Sequence, residues 1–493
     1  MALRYICLSD LHLGAPDSLL THIDDHDTVD PQVPSRVLVA FAKALRATVS
    51  ALSDGEPPML VLLGDVLDLG LSPSSDVAPA FMRFLEALFP PDEPRLFSTD
   101  LWIVPGNHDN LLWDQARAFA FIDEIGPGGT VAPGSSRLGG TPLLQPDPAS
   151  RIGSPLLNRL VRLHPGLETA NAFVAYPNLG LASRDGSRML VLHHGHYLDA
   201  MYRLVSRFET WLQGNNMPPQ TMDDLAANGP WISFLWSQLG NAGDAGQGAW
   251  TLYEIMLDAG ASHQMAGLVA DRLVNALKQR FAVLPRAPLF HGISIEELVR
   301  AAVDFTLGHA AESQRLAEQS VLSTDELADL RWYVSTPLWH QIAATVGPDH
   351  LPSHLGFIFG HTHKPFQDQV TVPGQSLPVA VYNTGGWVLD QPTLMPSQGG
   401  AAMLIDDDLN VASLRLFNDE PDGGTRPVHA GGLGGFIDAE NILLHQVQAA
   451  LQHPDTADLW QAFSDSVKDG INKRVTLRMQ EFFKVDAAAE VLA

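Results

Sequence analysis

The stretch Tyr5-Ile6-Cys7-Leu8-Ser9-Asp10-Leu11-His12 runs four apolar residues straight into a carboxylate and an imidazole. Such a run has the length of a short buried strand, and the polar pair stands where that strand ends. The arrangement recurs along the chain. Met59 to Leu63 leads into Gly64-Asp65-Val66-Leu67-Asp68, and Leu101 to Val104 into Gly106-Asn107-His108-Asp109. Met189 to Leu192 leads into His193-His194-Gly195-His196, and Phe357 to Phe359 into Gly360-His361-Thr362-His363; Val379 to Tyr382 is a further strand-like run. Helical patterns lie between them. Val37, Leu38, Phe41, Leu45, Val49 and Leu52 share one face after Pro34-Ser35, and Phe81, Phe84, Leu85 and Leu88 share another. Strand, polar turn, helix, strand is the grammar of an α/β domain, and such sheets bind ligands outside the carboxyl ends of their strands. All five motifs are therefore expected on one rim.

Only Asp, His and Asn recur at the ligand positions of these motifs, and the single cysteine, Cys7, excludes a thiolate site. Mixed imidazole and oxygen donors suit Mn, Fe, Zn, Co or Ni better than Ca or Mg. The motifs together predict a site for two divalent transition metal ions. Asp10 and Asp65 are its only anionic donors; His12, Asn107, His361, His363 and a histidine of the fourth motif are neutral. About two units of positive charge would then remain to attract a phosphate oxyanion and a hydroxide. Asp65 can bridge both ions. His108, beside Asn107, is free to protonate a departing alkoxide, and Asp68 can orient its imidazole and raise its pKa. Asp109 either orients Asn107 or His108 or serves as a turn residue, and His196 is a candidate substrate contact. His22, Asp24, Asp25, His26 and Asp27 read as a solvated polar loop.

Thirty basic residues against 56 acidic ones leave a formal charge of -26, which repels polyphosphate backbones, so no nucleic-acid polymer is expected as partner. With 45% hydrophobic residues the chain has the composition of an ordinary folded protein. No signal peptide or membrane span is apparent, and the buried, unpaired Cys7 fits a reducing compartment, so a cytoplasmic location is expected. Residues 1–196 and 352–420 are expected to form the core in two parts. Residues 197–351 read as a helical insertion or cap, with one face made by Met201, Leu204, Val205, Phe208, Trp211 and Leu212 and another by Met265, Leu268, Val269, Leu273, Leu277 and Phe281. That insertion holds Trp211, Trp231, Trp236, Trp250, Trp332 and Trp339, which predict a core of its own or a cover over the metals. Residues 421–493 read as a Gly/Pro-rich linker and a closing helical segment.

In this order the motifs resemble those of the calcineurin-like metallophosphoesterase superfamily: Asp-x-His, Gly-Asp-x-x-Asp, Gly-Asn-His-Asp/Glu, His-Gly and Gly-His-x-His. The resemblance covers roughly residues 3 to 196 and 352 to 405. It implies an α/β/β/α sandwich of two mixed sheets, here with a large helical insertion and a C-terminal helical segment. It also implies that Asp10, His12, Asp65 and His363 surround one metal and that Asp65, Asn107, His194 and His361 hold the other, with His108 as acid and Asp68 as its partner. Leu69 stands where phosphoprotein phosphatases carry a phosphate-gripping Arg. The opening Ser9-Asp10-Leu11-His12-Leu13 and the later Asn383-Thr384-Gly385-Gly386-Trp387 are similar to the bacterial UDP-diacylglucosamine pyrophosphatases, many of which carry Arg at the position of His108. The expected activity is hydrolysis of a small phosphate ester by a metal-bridging hydroxide attacking phosphorus in line, with a phosphodiester or pyrophosphate favoured over a monoester. Trp231-Ile232-Ser233-Phe234-Leu235-Trp236 leaves room for an apolar or lipid moiety on that substrate. The alternative is a catalytically silent scaffold that binds a partner.

Overall fold

A computed structural model describes residues 2–123, 125, 129, 139–203, 205–206, 210, 217–233, 321–389, 397–418 and 428–492. Every apolar run that precedes a motif is a strand. Leu3–Leu8 lies inside an eight-stranded sheet, parallel to Met59–Leu62 with Cys7 opposite Val61, and antiparallel to Gly399–Asp406 on its other side. Met59–Leu62 continues in parallel to Leu101–Ile103, and that strand to Ala172–Val174. A five-stranded sheet carries the other motifs: Arg188–His193 is parallel to His354–Phe359, which is parallel to Val379–Asn383. Parallel pairing puts the carboxyl ends of neighbouring strands side by side, so successive motifs in each sheet emerge next to one another.

Side chains alternate across each strand, and the two resulting faces go to different layers. Cys7, Val61, Trp102 and Met403 of the larger sheet join Leu190, Leu192, Ile358 and Tyr382 of the smaller one in a buried layer between the sheets. Ile6, Leu8, Leu60 and Leu62 point the other way, into a cluster with Phe41 and Leu45 of helix Arg36–Leu52 and Phe81 and Phe84 of helix Ser74–Leu88. The first of these helices starts at Ser35, whose hydroxyl accepts from Leu38 N at 3.0 Å and satisfies a donor the helix leaves unpaired. Each fully buried Leu or Phe in these layers contributes roughly 1.5–3 kcal/mol of burial.

Helices Thr324–Tyr333 and Trp339–Val346, from the end of the expected insertion, cover the outer face of the smaller sheet. Tyr333, Val334, Leu338 and Ile342 are fully buried, the Tyr333 ring lies 5.8 Å from Phe357, and its hydroxyl donates to Asn178 Oδ1 at 3.0 Å. The molecule is thus an α/β/β/α sandwich whose fourth layer comes in part from that late segment. The face from Met265 to Phe281, residues Leu204, Phe208, Trp211 and Leu212 of the other face, Trp236, Trp250 and residues 421–427 of the linker lie outside the described residues.

The closing segment packs on the larger sheet. Helix Ile442–Gln452 and helix Pro454–Leu492 lie against helix Arg36–Leu52, with Phe41 4.9 Å from Trp387 and Phe463 6.2 Å from the same indole. Trp460 Nε1 donates to the buried Thr48 hydroxyl at 2.9 Å. Among the described residues no helix is long and apolar enough to cross a membrane.

Candidate metal centre

The strand ends bring the five motifs to one place, and the backbone there is unusual. Asp10, His12, Asp65, His361 and His363 have φ between 45° and 70°, and they are five of the seven non-glycine residues with positive φ among the described residues. Left-handed backbone costs such residues about 1–3 kcal/mol each, so it persists only where surroundings enforce it. Here the enforcement is visible. Asp10 N donates to Gly64 O and His12 N to Asp65 O, both at 2.9 Å, which stitches the first motif to the second. Gly64, at φ +80°, has no room for a Cβ because the His194 ring presses on it, and at Gly360 the Asp10 carboxylate fills that space.

Asp10, His12 and His363 form one group of potential ligand atoms, and Asp65, His194 and His361 form another. Within the first, His363 Nε2 is 3.4 Å from Asp10 Oδ1. In the second, His194 Nε2 is 3.1 Å from Asp65 Oδ2 and 3.1 Å from Asn107 Oδ1. The same Asp65 oxygen is 4.0 Å from His12 Nε2 in the first group, so this carboxylate faces both. His194 Nδ1 lies 3.0 Å from Leu63 O, which fixes the tautomer that leaves Nε2 as a lone-pair donor. His12 is arranged alike: Nδ1 is 3.4 Å from Asp68 Oδ1, and its buried Nε2 has no hydrogen-bond partner. A buried nitrogen without a partner, aimed at a carboxylate, fits a cation. The donor set therefore suits the expected metals.

Charge in the pocket follows from crowding. Burial alone would raise Asp65, but the neighbouring His194 and His108 hold it well below the usual carboxylate range. Burial would lower His194, yet Asp65 and Asp10 push it up to about 9. His12 is likewise raised against its burial by Asp68 and Asp65. Imidazoles held beside carboxylates in this way carry protons that a cation would displace.

His108 Nδ1 is 2.8 Å from Asp68 Oδ1, as the sequence suggests. Sequence reasoning missed that Asp68 also meets His12, and that its second oxygen accepts from the Ser72 hydroxyl. Burial would raise Asp68; the hydrogen bonds from His108 and His12 prevail and keep it well below the ordinary range. Asp109 is no mere turn residue. It is fully buried, with Oδ1 accepting from Gly106 N at 2.7 Å and Oδ2 from Val66 N at 2.9 Å, so it ties the second motif to the third. Burial and the charge of Asp65 push it up to about 6. Ser9 also went unnoticed as a support: its hydroxyl bonds both Asp10 Oδ2 and the Thr384 hydroxyl, and Trp387 N donates to Asp10 O at 3.0 Å. The signal for these was the Asn383-to-Trp387 stretch.

His196, the candidate substrate contact, is fully buried beside Tyr197, with ring centroids 4.3 Å apart. Neither of its ring nitrogens has a hydrogen-bond partner, and burial holds it well below the normal histidine range. Asp24 to Asp27 are exposed or nearly so, a solvated loop as expected. Asp199, which the sequence did not single out, places Oδ2 3.9 Å from His361 Nε2 at the partly exposed side of the site.

Calcineurin-like phosphoesterase is the family whose model matches this chain, over residues 3–247. No curated protein matches it. The matched segment carries four of the five motifs. Gly360-His361-Thr362-His363 lies beyond it and enters the site through the five-stranded sheet.

Proposed function

We propose, from the premise that this chain belongs to the calcineurin-like phosphoesterases and is a metal-dependent phosphoester hydrolase, that it works with two divalent transition metal ions. The observation that carries this is Asp65, one carboxylate facing both groups of ligand atoms. Asp10, His12, Asp65 and His363 would hold one ion, and Asp65, Asn107, His194 and His361 the other. Bound there, the pair would supply Lewis-acid polarisation of a phosphoryl oxygen and a water of lowered pKa.

The chain's own groups account for orientation and proton transfer. Asp68 accepts from His108 Nδ1, which leaves Nε2 to carry the proton that a departing alkoxide needs. The same Asp68 steadies His12, so acid and ligand are aligned by one carboxylate. Asp109 keeps Asp65 and Asn107 in register by holding the amides of Val66 and Gly106. Within the five motifs no Lys or Arg stands ready to grip a dianionic terminal phosphate, which favours a phosphodiester or pyrophosphate over a monoester.

Bis-aryl and mono-aryl phosphates assayed side by side with Mn-, Zn- and Co-loaded protein test this. Faster turnover of the diester, abolished by chelation and restored by metal, is expected. Turnover of neither ester with any metal would remove the hydrolase reading, and a faster monoester would reverse the preference.

A further inference from the structure

Arg474 sits on the long C-terminal helix, far in sequence from every motif and beyond the matched segment. It is only 4% exposed, and its NH2 group donates to Ser18 O and, at 2.6 Å, to Thr21 O. Lys473 alongside donates to Ile23 O at 2.7 Å and Asp24 O at 2.6 Å. Gly470, one turn earlier, lets the helix close on this loop: a Cβ there would stand 3.3 Å from both Leu19 and Val37. A buried cation that shares four backbone carbonyls of one loop with its neighbour is a clamp, because the bonds are charge-assisted.

Two short routes lead from the clamp to the metal ligands. Ser18, whose carbonyl Arg474 holds, donates its hydroxyl to Leu11 O at 2.6 Å, and Leu11 stands between Asp10 and His12. Leu19 N donates to Trp387 O at 2.8 Å, and Trp387 N donates to Asp10 O at 3.0 Å. Asp10 and His12 both need support, since each holds a left-handed backbone. We infer that Arg474 is a positioning residue for the cation site of Asp10, His12 and His363, holding those ligands in place from a helix that contributes none of them. The inference rests on the two-cation reading above. Residues 18 to 24 are the part of the loop it fixes; in the described bonds no residue of the second ligand group, Asp65, Asn107, His194 and His361, meets that loop directly, and the link runs one step further, through His361 N on the Asp10 carboxylate and His12 N on Asp65 O.

Titration of the full chain with Mn(II), following the free ion by electron paramagnetic resonance, tests this without any substrate. Wild type is expected to bind two ions. Arg474→Met should keep one at wild-type affinity and weaken the other at least tenfold, while Arg474→Lys, which retains a donor, weakens the same ion less. Trp460→Phe serves as the comparison, since it removes the bond to Thr48 on the same helix and should lower the melting temperature with both affinities unchanged. Wild-type affinities in folded Arg474→Met, equal weakening of both ions, or equal weakening in Trp460→Phe would each overturn the inference. Should Arg474→Met fail to fold, Arg474→Lys decides, and two wild-type affinities there would refute the clamp. A wild-type protein that binds no Mn(II) would instead sink the two-cation reading.

Discussion

Three histidines in one motif occupy opposite environments. His194 faces Asp65 and Asn107, and although burial would lower it, the carboxylates push it up to about 9. His193 and His196, whose rings lie 5.3 Å apart, belong to an aromatic pocket behind it with Tyr176, Tyr197 and Tyr333, and there burial drives both well below the normal range. The two regions share residue type, burial and a stretch of backbone. They differ in oxygen donors. Only the side that carries Asp10, Asp65 and Asn107 offers carboxylate and amide oxygens to a cation, so on the proposed reading a motif dense in histidine would make one ligand where its composition would allow three.

The contrast breaks most sharply at the acidic pocket. Asp65→Asn should cost both cations, reading near zero metal per chain by elemental analysis against two in wild type, since both ligand groups share this carboxylate. Retention of one full equivalent would show that Asp65 serves a single ion. His108→Asn is the next largest effect: both metals stay, while turnover of an alkyl ester falls roughly 10² to 10⁴-fold. For a nitrophenyl ester, whose leaving group needs little protonation, the loss should shrink markedly. Equal losses for the two esters would remove His108 from the role of acid.

Smaller effects separate support from chemistry. Asp109→Asn offers one acceptor where two backbone N–H groups now find carboxylate oxygens, and an unpaired buried donor costs about 1–3 kcal/mol. A lower urea midpoint with a several-fold weaker metal affinity is expected; an unchanged midpoint would mean that the two loops do not depend on it. In the aromatic pocket His193→Phe should do the reverse. Both ring nitrogens of His193 are buried without a partner, so an apolar ring of similar shape should leave metal content intact and raise the urea midpoint. Loss of metal in that variant would place His193 with His194 and dissolve the contrast.

The rim was legible in the sequence because each motif follows a short apolar run, and strands of that kind end where α/β sheets bind ligands. Parallel pairing of Leu3–Leu8 with Met59–Leu62 then did what periodicity could not express: it set His12 against Asp68, 56 positions away. The closing segment was legible as helix, but not what its Phe463 packs against, which is Phe41 and Trp387. The end of the insertion was legible as helix, whereas its docking through Tyr333 onto Phe357 depends on a hydrogen bond to Asn178 that no local pattern encodes. The burial of His196 was not legible for a related reason. A polar residue beside a ligand suggests contact with substrate, yet Gly195, at φ +125°, turns the chain so that the next side chain enters the aromatic pocket.

Anomalous diffraction from crystals grown with Mn(II) addresses the shared carboxylate most directly. Two peaks are predicted, one among Asp10, His12, Asp65 and His363 and one among Asp65, Asn107, His194 and His361, with Asp65 touching both. A single peak, or a peak beside His193 and His196, would contradict the account.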